Sequence, residues 1–112
     1  MNKESMLMQR VDARAEEIKA VSREIWLHPE PGLGEYQSLE IYRKALIRAG
    51  ARMTEGLAGI PTAFCGEWGS GKPVIGFLGE FDALPGLSQG VFDAPEYRPV
   101  SGQECGHGCG HN

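Results

Sequence analysis

The stretch Lys72-Pro73-Val74-Ile75-Gly76-Phe77-Leu78-Gly79-Glu80-Phe81-Asp82-Ala83-Leu84-Pro85-Gly86 decides the fold. Val74 to Leu78 is an apolar run bounded by turn chemistry, with Gly69-Ser70-Gly71-Lys72-Pro73 reading as the turn before it. That is the pattern of a strand buried in a layered sheet. The run leads straight into Glu80 and Asp82, and binding sites in α/β sheets gather where strands end. Two carboxylates at i, i+2 on extended chain face the same side. They could bind a cation, orient a histidine ligand or move a proton. Spacing leaves open a plainer alternative, in which Asp82 caps the following turn and Glu80 is solvated.

Working outward, the sequence ahead of this stretch is helical. Leu7, Val11, Ala15, Ile18, Val21 or Ser22, and Ile25 recur at helical spacing, predicting one long amphipathic helix from Glu4 to Leu27. His28-Pro29-Glu30-Pro31-Gly32 forbids its continuation. A second helix is expected from Tyr36 to Ala49, with Leu39, Tyr42, Leu46 and Ala49 inward and Gly50 as its left-handed C′ residue. Ala51 to Glu55 and Thr62 to Trp68 read as strands. Helix, helix, then strands gives an α/β fold: the N-terminal part of a catalytic domain with two leading helices and the first strands of a mixed sheet, truncated before the sheet is complete. The chain is one domain portion, residues 1–112. Gly86 to Pro99 reads as an irregular loop, either functional or a surface excursion.

Composition narrows the function. Hydrophobic residues make up 41% and charged residues 23%, as in soluble globular proteins. A net charge of −4 with no basic patch argues against a nucleic-acid partner. No stretch approaches the roughly 18 apolar residues of a membrane span, and no apolar leader opens the chain, so a cytoplasmic setting is expected. Cys65, inside an apolar run, is expected to be a buried structural thiol, and Trp26 and Trp68 to serve packing. His28 either lines a site or satisfies backbone groups at the helix end.

Two of the three cysteines and two of the three histidines fall in the last eleven residues, Gly102-Gln103-Glu104-Cys105-Gly106-His107-Gly108-Cys109-Gly110-His111-Asn112. Thiolate and imidazole are the usual ligands of zinc and its transition-metal neighbours. Glycine lets the backbone approach closely. Cys109 and His111, at i, i+2, can reach one ion. Closed structural zinc sites space their ligands more widely, so four candidates within seven residues fit that pattern poorly. Adventitious metal binding by a glycine-histidine tail is the competing explanation.

Three segments together carry a resemblance. Trp26-Leu27-His28-Pro29-Glu30-Pro31-Gly32-Leu33-Gly34-Glu35 resembles the leading helix-end motif of the M20 family of metallopeptidases and amidohydrolases. Glu80-Phe81-Asp82-Ala83-Leu84-Pro85 is similar to its strand-end acidic motif, and His107-Gly108-Cys109-Gly110-His111-Asn112 to its Cys-Gly-His metal motif. The variant with Gly79-Glu80-Phe81-Asp82 and a final Asn is most similar to the aminobenzoyl-glutamate hydrolase-like branch.

The resemblance implies a two-domain enzyme that uses divalent metal ions, zinc or manganese first and cobalt or nickel as alternatives. It would cleave the amide of an N-acyl or aminobenzoyl amino acid or a dipeptide. Cys109 and His111 match the first two metal ligands, and Asp82 a catalytic carboxylate at the strand end. In other branches a metal-binding histidine stands at position 80, and many relatives have Asp at position 112. Full-length relatives are expected to form homo- or hetero-oligomers. They supply a glutamate pair, further histidine ligands and a dimerisation domain after the Cys-Gly-His motif, so the 112-residue chain is expected to be inactive alone. The alternative is a non-catalytic truncated product whose Cys/His cluster only binds metal.

Overall fold

The computed structural model describes residues 2–112. Three helices come first: α1 (Lys3–Asp12), α2 (Ala15–Leu27) and α3 (Tyr36–Arg48). Four short strands follow, β1 (Arg52–Glu55), β2 (Phe64–Glu67), β3 (Leu84–Pro85) and β4 (Cys105–Gly106). This is the α/β content expected from the sequence, and the first difference in detail comes at the start. The long leading helix is two helices, broken at Ala13 and Arg14, where Arg14 leaves the helical region at φ −104°, ψ 4°. Neither residue is a proline or glycine, so nothing in the sequence announces the break. α1 buries no side chain, and Leu7, Val11 and Ile18 of the predicted stripe are exposed. The inward face of α2 is instead its C-terminal half, where Ile25 is wholly buried.

α2 and α3 pack together, with Ile25 and Leu39 as their buried apolar side chains. Between them the His28–Glu35 connection acts as a clamp. The Glu30 carboxylate accepts from the Gln37 and Ser38 amides at 2.9 and 2.8 Å and from the Ser38 hydroxyl at 2.9 Å. It thereby satisfies N–H groups that open the first turn of α3, which have no intrahelical partner, with a charge of the sign the helix dipole favours there. α3 ends as predicted. Gly50 is left-handed at φ 87°, Gly50 N–H donates to the Ile47 carbonyl, and Ala51 N–H donates to that of Leu46, a Schellman closure.

β1 and β2 form an antiparallel hairpin with Thr54 opposite Cys65. That register turns Phe64 and Gly66 toward α3 and leaves Cys65 exposed. The expected buried thiol is therefore corrected: strand alternation puts position 65 on the open face. Arg43 of α3 grips Glu55 of β1 through two nitrogens at 2.5 and 2.6 Å. Trp68, expected to serve packing, is instead 54% exposed and is held by its indole N–H, which donates to the Ala49 carbonyl at 2.9 Å.

The largest departure lies at Val74–Leu78. The run is in no strand, and no backbone hydrogen bond involves residues 74–79 among the described residues. Val74, Phe77 and Leu78 are 87, 97 and 100% exposed. An apolar strand is buried only if neighbours pair both edges and cover both faces, and the described residues offer none. Order returns at Phe81, whose ring meets Tyr42 and Phe64 at 5.5 and 5.7 Å.

Candidate metal centre

Three contacts place the strand-end carboxylates. Phe81 sits in the aromatic cluster with Tyr42 and Phe64, and extended chain then turns its neighbours Glu80 and Asp82 to the opposite side. Ala83 N–H donates to the Glu30 carbonyl at 2.7 Å, and Pro31 and Ala83 form a parallel bridge. Beyond it, β3 pairs with β4, Leu84 opposite Gly106 and Pro85 opposite Cys105. That pairing brings the glycine-rich tail back across the end of the carboxylate segment.

The tail then makes a tight turn from His107 to Gly110, closed by Gly110 N–H to the His107 carbonyl at 3.0 Å, with Gly110 left-handed at φ 72°. Gly108 and Cys109 form the corner, which leaves Cys109 exposed, and the chain beyond delivers His111 inward. His111 Nδ1 lies 2.9 Å from Asp82 Oδ1 and its Nε2 lies 3.3 Å from Glu80 Oε2. One donor atom from each of Glu80, Asp82 and His111 falls within 4.8 Å of the others. The Asp82 carboxylate raises the His111 pKa above its ordinary value, against a smaller opposing effect of desolvation, with Glu80 adding to the rise.

Of the residues singled out in the sequence, Asp82 and His111 are in contact, and Glu80 joins them. Cys109 is not in that group. With Asp82 engaged at Nδ1, Glu80 and His111 Nε2 present one oxygen and one nitrogen donor side by side, which suit a borderline divalent ion, so the donor set fits a metal. Asp82 fixes the His111 ring in the manner of a carboxylate behind a ligand histidine.

His107, given no metal role from the sequence, is buried and ties the tail to α2. It is 5% exposed, and its Nε2–H donates to the Ile25 carbonyl at 3.2 Å, while Nδ1 has no partner among the described residues. Burial holds its pKa below the ordinary value, outweighing the carbonyl's pull. His28 Nδ1 lies 2.8 Å from the Glu24 carbonyl, which is the helix-end role of its two alternatives. Glycine at 106 and 108 answers to a neighbour: a Cβ at 106 would fall on the Leu87 carbonyl, and one at 108 would come 2.5 Å from Leu87 Cδ1. Leu87 belongs to the irregular loop. The loop folds on itself through Ser88, which accepts from Val100 N–H at 3.0 Å, and through Gln89, which accepts from Arg98 N–H at 3.0 Å. The loop's visible role is to brace the metal-motif strand.

The chain belongs to the M20 family of metallopeptidases and amidohydrolases and corresponds to the N-terminal part of its members. It is 42% identical over 102 residues to one of the subunits of p-aminobenzoyl-glutamate hydrolase from Escherichia coli (strain K12), covering 91% of this chain and 21% of that protein. It is 32% identical over 114 residues to the Xaa-Arg dipeptidase of Mus musculus, covering 93% of this chain and 22% of that protein. The Xaa-Arg dipeptidase of Homo sapiens is 30% identical over 115 residues, covering 91% and 22%. The chain thus spans about a fifth of the length of these relatives. No protein-family model matches it, and no solved structure does. No helix among the described residues is long and apolar enough to cross a membrane.

Proposed function

We propose that these residues form the opening part of a metal-dependent amidohydrolase active site. The enzyme would cleave the amide bond of N-acyl or aminobenzoyl amino acids, or of dipeptides. The observation that carries this reading is the convergence of Glu80, Asp82 and His111 at one segment end. Its context is a chain 42% identical to part of a hydrolase of aminobenzoyl-glutamate. A bound divalent ion, zinc or manganese first and cobalt or nickel as alternatives, would supply Lewis acidity and an acidified water.

The chain's own residues prepare for that. Asp82 holds the His111 ring through Nδ1, which directs Nε2 outward as the ligand nitrogen. Glu80 offers a carboxylate oxygen beside it. Cys109 would add a thiolate to that set, though it lies exposed at the corner of its turn. The Asp82 carboxylate compensates positive charge that develops on His111. The resemblance assigns proton transfer to a glutamate pair that follows the Cys-Gly-His motif, so residues 1–112 by themselves are expected to bind metal weakly and not to hydrolyse amides. The bacterial relative's name makes it one subunit of its enzyme, which supports an assembly of more than one chain for the longer proteins.

Calorimetric titration of zinc and manganese into the whole chain tests this reading. One weak site is expected, abolished in His111→Ala and in Asp82→Ala. Equal binding by the parent and by both variants would refute it. So would release of p-aminobenzoate from p-aminobenzoyl-glutamate by the chain alone, for the part concerning inactivity.

A further inference from the structure

Asn112 donates its side-chain Nδ2 to the Ser22 hydroxyl at 2.9 Å and to the Ser22 carbonyl at 3.4 Å. A carbonyl only accepts, so the amide orientation is fixed by chemistry: the nitrogen, and not Oδ1, faces Ser22. His107 makes the matching contact to the Ile25 carbonyl one turn further along the same helix. Ser22 and Ile25, three residues apart, share a face of α2. The whole His107–Asn112 segment is therefore tied to α2 at both ends, and His111 lies between the ties, adjacent to the second.

We infer that Asn112 is a positioning residue, acting through His111: its carboxamide grips Ser22 and sets the imidazole against Asp82 and Glu80. The inference rests on the proposed metal-centre reading for its purpose, but its geometry does not need the metal. It also explains why position 112 carries an amide in this chain. A carboxylate there would present only acceptors to the Ser22 carbonyl, placing like partial charges face to face and leaving no donor. The hydroxyl of Ser22 could still serve a carboxylate, since it can donate, but the second contact would be lost. Side chains at 22 and 112 are thus a matched pair. His107 cannot substitute for this tie, because the left-handed Gly110 lies between it and His111 and the chain pivots there.

The test uses the whole 112-residue chain and reads the His111 ring nitrogens by long-range proton–nitrogen NMR, without metal. In the parent, His111 Nδ1 is expected to show the signature of a nitrogen sharing a proton with a carboxylate. Asn112→Asp and Asn112→Ala should shift His111 toward the averaged pattern of a free imidazole. A neutral hydrogen bond corresponds to a population change of about 2- to 12-fold. The Trp68 indole proton and the β1–β2 amides should stay in place. Ser22→Ala removes only the hydroxyl and leaves the helix intact, and it should produce the smaller shift of the same kind; it carries the test if both Asn112 variants unfold. Zinc affinity should fall in the same order. An unchanged His111 signature in any folded variant overturns the inference. If the parent shows the signature and the variants lose it while zinc binds to none of them, the positioning role stands and the metal-centre reading fails.

Discussion

Replacing Gly106 by alanine should displace the metal-motif strand, and the size of the effect follows from what surrounds it. A methyl at this position falls on the Leu87 carbonyl oxygen, lies 2.5 Å from the Leu87 carbonyl carbon and 3.0 Å from Ser88 Cα. All three are backbone atoms of a loop that is itself closed by Ser88 and Gln89 hydrogen bonds, so no side-chain rotation relieves the clash. Overpacking costs about 1–3 kcal/mol when side chains can give way; here the upper end, about 3 kcal/mol, is expected. Gly108→Ala is the internal control. Its methyl meets only side-chain atoms of Leu87, the one close approach being to Cδ1 at 2.5 Å, which can rotate away, so about 1 kcal/mol is expected. Urea unfolding followed by tryptophan fluorescence reads both, since Trp26 lies 6.3 Å from the His107 ring. The Gly106 variant should also lose the His111–Asp82 contact. Equal midpoints for the two variants, or a Gly106→Ala chain as stable as the parent, would refute the claim that the Leu87–Ser88 backbone fixes the tail.

Glu30→Gln weakens the capping of α3 and should cost about 1 kcal/mol, read as reduced helical circular dichroism and a lower urea midpoint. Phe81→Ala removes a half-buried ring from the Tyr42–Phe64–Phe81 cluster and should cost about 2 kcal/mol, below the roughly 3–5 kcal/mol of a fully buried phenylalanine; the His111 ring signals should move with it. The raised His111 pKa sets a pH dependence. Its stabilising contribution is present below the unfolded value of about 6.5 and is lost as pH rises through the higher folded value. Zinc affinity rises over that same window as the proton leaves. Asp82→Asn should move the window down toward about 6.5, and a histidine NMR titration locates it. His107 titrates the other way: its lowered pKa means stability falls as pH drops from about 6.5 toward the folded value, so acid should release the tail from α2 first.

Local signals with a local cause were legible in the sequence. The α3 span, its Gly50 closure and the existence of strands at β1 and β2 follow from spacing and turn chemistry within a few residues and stand as expected; the pairing of the two strands was not read from the sequence. The meeting of Asp82 with His111 was legible only through the resemblance, because 29 positions separate them and no periodicity reports contacts at that range. The i, i+2 spacing offered Glu80 as a companion of Asp82, but it left a solvated Glu80 equally open; what decides is Phe81 held by rings from α3 and β2, a long-range contact that the spacing does not disclose. The Val74–Leu78 run failed as a strand for a different reason. Its composition states what the segment needs on its edges and faces, and the described residues do not provide it. Cys65 misled because an apolar run says nothing about which of two strand faces is covered.

Few apolar side chains are fully buried, Ile25, Leu39 and Ala83 among them, so hydrophobic burial alone gives the site little rigidity. Polar connections do the positioning, and they converge on the turn between α2 and α3. Glu30 caps α3 with its carboxylate and receives Ala83 with its carbonyl; Thr62 donates to the nearby buried Glu35 carboxylate at 2.8 Å. Leu27 accepts from Gln103 at 3.0 Å, Ile25 from His107, and Ser22 from Asn112. The leading motif thus contributes no donor atom to the candidate centre, yet both halves of that centre hang from it and from the helix before it. A helix-end motif far in sequence from the ligands is then a requirement of the site's geometry: the carboxylates and the histidine can meet only if one rigid element receives both.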